Sequence, residues 1–221
     1  MTKFAIIVAG GSGTRMNSAV PKQFLLLKDK PVLCHSIQRF LDSYQDMQVI
    51  LVLPEQHLET GRTMMDLFFP GKDIRLTTGG ATRFDSVKNG LALVSGDAVV
   101  FVHDGVRCLV STSLIHRCYE SAVEFGSAIP VVPAKDSIRL VTADGNVPLD
   151  RNMVKLVQTP QVFLSRVLLP AFSVAYEERF TDEAPVVEAS GLAVHLVEGD
   201  ERNIKITTPA DLETALGLLD S

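Results

Sequence analysis

The sequence predicts an α/β fold, a mostly parallel sheet flanked by helices, and three observations carry that prediction. Phe4–Val8, Val49–Leu53 and Ala98–His103 are almost continuously apolar rather than alternating, as strands buried on both faces of a parallel sheet are. Between such runs the apolar residues recur at helical spacing, as with Leu33, Ile37, Phe40 and Leu41. The chain has 221 residues, 46% of them apolar, enough to bury a sizeable core, and one α/β domain over 1–221 accommodates that length.

The first strand, Phe4–Val8, runs into Ala9-Gly10-Gly11-Ser12-Gly13-Thr14-Arg15. Glycines lack a Cβ, so the backbone there can turn tightly and meet a ligand closely. Successive N–H groups in such a turn form a concavity suited to phosphate oxygens. Arg15 adds a planar fork of donors and Lys22 a compact mobile charge, so the stretch has the content of a triphosphate-binding loop. It is neither a Walker A loop nor the dinucleotide fingerprint Gly-x-Gly-x-x-Gly/Ala, because Met16 stands where the last small residue belongs. Read alone, it is equally a strand-to-helix turn with two solvated cations.

Leu25–Lys30 reads as a short extended piece with a turn, and Pro31 as the first residue of a helix running to Ser43. His35 in that helix has no metal-spaced partner and reads as structural. Val49–Leu53 is the second strand, 55–70 a helix with a loop, and Ile74–Thr78 the third strand. Thr82 caps the next helix with Asp85 at its third position, as in a capping box, and Phe84, Val87, Leu91 and Val94 form its buried stripe. A cap accounts for Thr82, Gly79 and Gly80. It does not account for Arg83 and Ser86 falling together at a helix start, where free N–H groups favour an anion.

Ala98–His103 delivers Asp104 and Arg107 to its C-terminal end, where ligands gather in open parallel sheets, so Asp104 should share a rim with the glycine loop. A lone Asp-x-x-Arg is also an ordinary local ion pair. A helix follows from Ser111 or Thr112 to Gly126, then a strand over Ala128–Val132 whose Pro130 marks an edge or irregular piece. Residues 134–152 stand apart as a polar β-hairpin with an Asp144-Gly145 turn, a poor core element that should project as an arm. Ser165 opens a further helix, Thr181-Asp182-Glu183 starts another with two acids in its first turn, and Ala193–Val197 is the last long strand. Thr208-Pro209-Ala210-Asp211 then caps a terminal helix.

Taken together, the glycine loop, Pro21-Lys22-Gln23-Phe24, Gly79-Gly80-x-x-Arg83-x-x-Ser86, His103-Asp104-x-x-Arg107, Asp150-Arg151-Asn152, Thr181-Asp182-Glu183-Ala184 and Asn203-Ile204-Lys205-Ile206-Thr207 resemble sugar nucleotidyltransferases. Among these the chain is most similar to the 2-C-methyl-D-erythritol 4-phosphate cytidylyltransferases, and the likeness runs in order from residue 9 to 211. It departs at Gly105-Val106 and Cys108, where the usual string is His-Asp-Ala-Ala-Arg-Pro, and at Met153-Val154-Lys155, where the family often carries Leu-Trp.

The resemblance implies a Rossmann-like fold of the nucleotidyltransferase type and transfer of the cytidylyl group of CTP to methylerythritol phosphate with release of pyrophosphate. It implies catalytic roles for Arg15, Lys22 and Lys205, and nucleotide contacts from Ala9, Gly10, Gly11, Gly13, Gly80, Arg83 and Ser86. Asp104, Arg107, Arg151, Thr159 and Thr181 would meet the polyol phosphate, Arg151 from across a subunit boundary, since the 134–152 arm in that family joins a homodimer. Mg²⁺ would be held mainly through the CTP phosphates, with no protein residue assigned as a metal ligand. Ribitol 5-phosphate cytidylyltransferase, and a nucleotide-binding regulator without turnover, remain alternatives.

Composition narrows the partners. A net charge of −5 argues against a nucleic-acid or anionic-membrane surface, so anionic substrates need local cation clusters. Three cysteines without Cys-x-x-Cys spacing indicate neither a disulfide framework nor a zinc site. With no leader-like N-terminus and no apolar run of spanning length, the expectation is a soluble, cytoplasmic protein.

Overall fold

The computed structural model describes residues 1–11 and 20–220. Gly13 and Arg15 therefore lie outside the described residues. Strand β1 (Thr2–Val8) occupies the middle of an eight-stranded sheet, with β4 (Met47–Leu53) and β5 (Ile74–Thr78) on one side and β6 (Ala98–Asp104) on the other, all parallel. β1, β4 and β6 are the runs read as continuously apolar, and β6 is buried along its whole length. Beyond β6 the sheet changes sense: β11 (Gln161–Leu164) is antiparallel to both β6 and β7 (Ser127–Pro133). The short β10 (Lys155–Val157) and β12 (Leu196–Glu198) also pair with β7.

Helices cover both faces. On one, α1 (Val32–Ser43), α2 (Leu58–Phe68) and α4 (Thr112–Phe125) pack Leu33, Ile37, Phe40, Met64 and Leu114 against Ala5, Ile7, Leu51 and Phe101. On the other, α3 (Arg83–Leu91), α5 (Ser165–Ala171) and α6 (Glu183–Ala189) pack Phe84, Val87, Leu168 and Val187 against Phe4, Ile6, Ile50 and Val100. The strands' period of two sends Ile7 to one face and Ile6 to the other, so each helical layer meets its own apolar set. A third cluster joins α7 (Pro209–Asp220) to the small antiparallel pair β2 (Leu26–Leu27) and β3 (Lys30–Pro31) through Leu27, Val32, Cys108 and Ile206.

The expected capping box forms: Thr82 Oγ1 accepts from the Asp85 N–H while the Asp85 carboxylate accepts from the Thr82 N–H. Asp211 does the same for α7, accepting from the Thr207 and Thr208 N–H groups. His35 donates through Nε2 to the Leu27 carbonyl at 2.8 Å, the structural role expected of it.

Other expectations need correcting. Pro31 ends β3 with an extended ψ of 143° and precedes α1 instead of opening it. Val94 lies past the end of α3, although it still packs on the core. The last strand is only Leu196–Glu198, because Leu192 to His195 run irregularly into it. Only Glu183 lies in the first turn of α6, while Asp182 is its cap residue and makes no side-chain capping bond.

Pro130 is internal to β7 and not at an edge. Ile129 N–H and the Val131 carbonyl bond toward β12, so Pro130 faces the other neighbour. There the partner strand is broken: Val162 pairs with Ala128 and Val157 with Val131, so five steps on one side answer three on the other. This bulge at 158–160, which contains a cis Thr159–Pro160 bond, leaves no ladder position needing a proline N–H.

The arm is a separate two-stranded sheet, β8 (Ile138–Thr142) with β9 (Gly145–Leu149). Its turn residues are Ala143 and Asp144, one position earlier than expected, because Thr142 already pairs with Gly145. No side chain of either strand is buried.

Candidate functional site

Backbone hydrogen bonds gather the carboxyl ends of the parallel strands. The Ala9 N–H donates to the Val52 carbonyl, Gly79 N–H to Leu53, and Gly105 N–H to Val8. The rim so formed holds a cleft of about 300 Å³ whose lining includes Ala9, Gly10, Gly11, Lys22, Gly80, Arg83, Ser86, Asp104 and Lys205. Every nucleotide-binding or catalytic candidate among the described residues thus falls on one cleft, and Asp104 shares the glycine loop's rim as expected.

The glycines there have different reasons. A Cβ at Gly80 would lie 2.2 Å from the Asp85 Cβ, so the capped start of α3 excludes a side chain. At Gly10 and Gly11 a Cβ would meet nothing nearer than Ser86 Oγ at 3.8 Å and Lys22 Cε at 4.0 Å. Neither has a positive φ. Packing among the described residues leaves these two positions open on the cleft side, which fits a backbone approached by a ligand.

Two side chains tie the flanking segments in place. Gln23, fully buried, donates through Nε2 to the Ala9 carbonyl at 3.0 Å. Lys22 Nζ donates to the Ile206 carbonyl at 3.0 Å, which puts its charge beside Lys205 on the neighbouring segment. Among the described lining residues the cleft carries three cations, Lys22, Arg83 and Lys205, against one carboxylate, Asp104. An acidic protein thereby presents a cationic pocket.

Asp104 is the hub. Lys205 Nζ lies 2.9 Å from its Oδ2, Arg83 Nη2 3.4 Å from its Oδ1, and Arg107 Nε 3.7 Å from its Oδ2. Burial alone would raise its pKa, but Arg83, Lys205 and Arg107 outweigh burial and hold it well below the usual carboxylate range. Arg107 Nη1 donates to the Asn203 carbonyl at 2.8 Å, while its buried Nε has no hydrogen-bond partner among the described residues. Burial lowers the Arg107 pKa, and Asp104 opposes that.

Behind Asp104, Thr159 Oγ1 accepts the Asp104 N–H at 3.0 Å and stands 3.1 Å from His103 Nδ1. His103 Nε2 stands 3.1 Å from the Arg107 carbonyl, an acceptor only, so Nε2 carries the proton. Nδ1 is then the acceptor for the Thr159 hydroxyl, which satisfies every polar atom of the trio. Burial pushes His103 down to about 4, so it is the neutral tautomer near neutral pH.

A second, smaller cleft of about 140 Å³ adjoins the first, lined by Arg107, Thr159, Gln161, Thr181 and Asp182 together with Arg83, Asp104 and Lys205. The last three line both clefts and form their common wall. The structure therefore brings together Asp104, Arg107, Thr159 and Thr181. It does not bring Arg151 to them: that side chain is exposed, and its Nη1 donates to the Lys135 carbonyl at 2.7 Å.

Sequence reading missed several contributors. Glu183, only 1% exposed, grips Arg83 through both carboxylate oxygens. Asn203, fully buried, donates to the Thr159 carbonyl at 2.7 Å, and Gln158 donates to the Asp200 carbonyl at 2.9 Å. Asn203 was visible only as a letter of the tail string, and Glu183 only as an acid suited to a helix dipole. Cys108, where the related string has proline, is buried in the third cluster, and burial pushes its thiol up to about 12, leaving it an inert packing group. Among the described residues no group of three His, Cys, Asp or Glu could hold a metal ion. No helix among them is long and apolar enough to cross a membrane.

Known proteins resemble this chain along nearly its whole length. The family model described as IspD, 2-C-methyl-D-erythritol 4-phosphate cytidylyltransferase, matches residues 3–221. A Bacteroides fragilis protein of that name is 48% identical over 221 residues, covering 99% of this chain and 100% of its own. The structure of the Thermus thermophilus cytidylyltransferase superposes with a TM-score of 0.79 at 30% identity, covering 100% of both chains. The bifunctional IspDF of Campylobacter jejuni gives 0.81 at 30% identity, matching 96% of this chain but 54% of that longer one.

Proposed function

The chain belongs to the 2-C-methyl-D-erythritol 4-phosphate cytidylyltransferase family, and from that premise we infer how its two clefts divide the reaction. It is a cytidylyltransferase: the 4-phosphate of methylerythritol phosphate attacks the α-phosphorus of CTP, forming the diphosphate link as pyrophosphate leaves. A phosphate monoester has a second pKa of about 6, so the attacking oxygen is already ionised at neutral pH and no general base is required. What the protein must supply is placement of two polyanions and compensation of their charge.

In this reading the larger cleft takes CTP. Ala9, Gly10 and Gly11 offer backbone to the triphosphate, and Lys22 and Lys205 supply charge at the reacting phosphorus. Arg15 and Gly13, outside the described residues, belong to the same set by sequence. Gly80, Arg83 and Ser86 border the base and ribose. The smaller cleft takes the acceptor, with Asp104, Arg107, Thr159 and Thr181 orienting its hydroxyls and phosphate. The observation that carries the division is the common wall of Arg83, Asp104 and Lys205, which both substrates would touch.

Magnesium fits this site as an ion held by phosphate oxygens and water, where it would neutralise charge on the triphosphate. Among the described residues the one carboxylate lining the larger cleft, Asp104, is already engaged by Arg83, Arg107 and Lys205. We further read residues 1–221 as one domain in a cytoplasmic homodimer, with the 134–152 arm carrying Arg151 to the partner's acceptor cleft. Support comes from an arm with no buried side chain and from Val141 and Leu140, 80% and 51% exposed. Three buried free thiols are in keeping with a reducing compartment.

The test is pyrophosphate release from CTP and Mg²⁺ with methylerythritol phosphate and ribitol 5-phosphate offered in parallel. Turnover with the first and little with the second is expected. Preference for ribitol 5-phosphate would overturn the acceptor assignment. Silence with both, from folded protein that still binds CTP, would make the chain a nucleotide-binding regulator.

A further inference from the structure

The common wall between the clefts is itself held from behind. Arg83 is the first residue of α3 and Glu183 the first of α6, so two helix starts separated by a hundred positions in sequence face each other across the sheet's end. Glu183 is 1% exposed and lines neither cleft. Its Oε1 accepts from Arg83 Nη1 and its Oε2 from Nη2 at 3.2 Å, and Nη2 also reaches Asp104 Oδ1 at 3.4 Å. A carboxylate gripping both terminal nitrogens of a guanidinium fixes the plane of that group as well as its position. The neighbouring residues Thr181 and Asp182 line the acceptor cleft, so α6 links its wall to the same anchor.

We propose that Glu183 is a positioning residue for the acceptor: it fixes the plane of the Arg83 guanidinium, and Arg83 in turn fixes Asp104 where the two clefts meet. The proposal rests on the assignment of the smaller cleft to the polyol phosphate. Thr159 holds the Asp104 backbone N–H, Lys205 and Arg107 meet its Oδ2 at 2.9 Å and 3.7 Å, and Arg83 is the cation that meets its Oδ1, so Arg83 supplies the remaining direction of restraint. Release of Arg83 would leave the carboxylate free to follow Lys205 and turn away from the acceptor hydroxyls. CTP would lose part of its Arg83 contact at the base and ribose but keep Gly10, Gly11 and Lys22, so its loss is the smaller one.

Glu183→Gln tests this. The amide keeps one acceptor but turns an N–H₂ donor toward a guanidinium donor, so one arm of the grip is lost. Wild type and variant would be titrated with each substrate in the pyrophosphate-release assay. The KM for methylerythritol phosphate should rise about 10- to 100-fold, the range lost with a charge-assisted hydrogen bond, while the KM for CTP, which keeps its other contacts, rises by a clearly smaller factor. Glu183→Asp, which keeps the charge on a shorter stem, should recover part of the acceptor KM, and it carries the test if the Gln variant does not fold.

Equal KM values in wild type and variant, with only a lowered melting temperature, would reduce Glu183 to a structural ion pair and overturn the proposal. A parallel rise in both KM values would overturn its selectivity for the acceptor. A wild-type protein that ignores methylerythritol phosphate would overturn the acceptor assignment first and the proposal with it.

Discussion

Thr159→Val is the sharpest test of how the site is built, because it removes one hydroxyl and keeps the shape. That hydroxyl accepts the Asp104 N–H at 3.0 Å and meets His103 Nδ1 at 3.1 Å, and Thr159 is 4% exposed. Both bonds are buried, so water does not readily replace either. A buried polar group left unsatisfied costs about 1–3 kcal/mol, so two of them cost roughly 2–6 kcal/mol. In a chain of this length each kcal/mol moves the melting temperature by about 2–4 °C, so the drop should be on the order of 10 °C. Urea unfolding should show the midpoint falling with an unchanged slope, the mark of lost stability without a change in exposed surface. Thr159→Ser is the control: it keeps the hydroxyl and loses one methyl, at about 1 kcal/mol. If the Val variant were within about 0.5 kcal/mol of the Ser variant, the hydroxyl would not be holding Asp104, and the 158–160 bulge would have no part in building the site.

Two further predictions follow from the same structure. His103 falls from 6.5 to about 4 on burial, so the unfolded chain binds the extra proton between those values; stability contributed by the neutral ring is complete above pH 6.5 and lost as pH falls toward 4, by on the order of 3 kcal/mol. Glu183, raised by burial, slopes the opposite way, so the readout is the difference between wild type and His103→Asn in urea melts across pH 4–7, and equal slopes would refute it. On the arm, Leu140 and Val147 face each other across the hairpin and are 51% and 48% exposed. Changing both to Glu should convert a dimer to a monomer in analytical ultracentrifugation without lowering the melting temperature, and a wild-type monomer would refute the arm's role.

Legibility in the sequence followed the range of the interactions concerned. Strands β1, β4 and β6 were legible because each is an apolar run of its own, and the Thr82–Asp85 cap because both partners lie within one turn. Asp104 was placed on the glycine loop's rim by a topological rule, the gathering of ligands at strand carboxyl ends, without any knowledge of its neighbours. The bulge at 158–160 was not legible, since strands of three and four residues carry too little period to show a break. β12 was legible as a strand but not in its bounds, Leu196–Glu198 in place of Ala193–Val197, because half-exposed Leu196 and exposed Glu198 give an edge strand little apolar signal. Glu183 escaped for a different reason. A cap acid and a buried ion-pair partner have the same letter, and only folding reveals that Arg83 waits across the sheet.

That a carboxylate sits at the meeting point of two anionic substrates calls for a physical reason, and the cations give one. Two like charges about 5 Å apart repel by roughly 3 kcal/mol at an effective dielectric of about 20. Arg83, Arg107 and Lys205 converge on one small region, and Arg83 is among the groups that lower the Arg107 pKa. Left alone they would splay outward, and each would find its own solvent or its own phosphate oxygen. Asp104, 8% exposed, offsets that repulsion from beneath, drawing all three inward while their outer faces stay on the clefts. Its negative charge costs some attraction for phosphate, yet it fixes where the positive charge is. For a reaction that depends on placing two polyanions within bonding distance, fixed cations lower the barrier more than a larger but mobile charge, because no reorganisation remains at the moment of transfer.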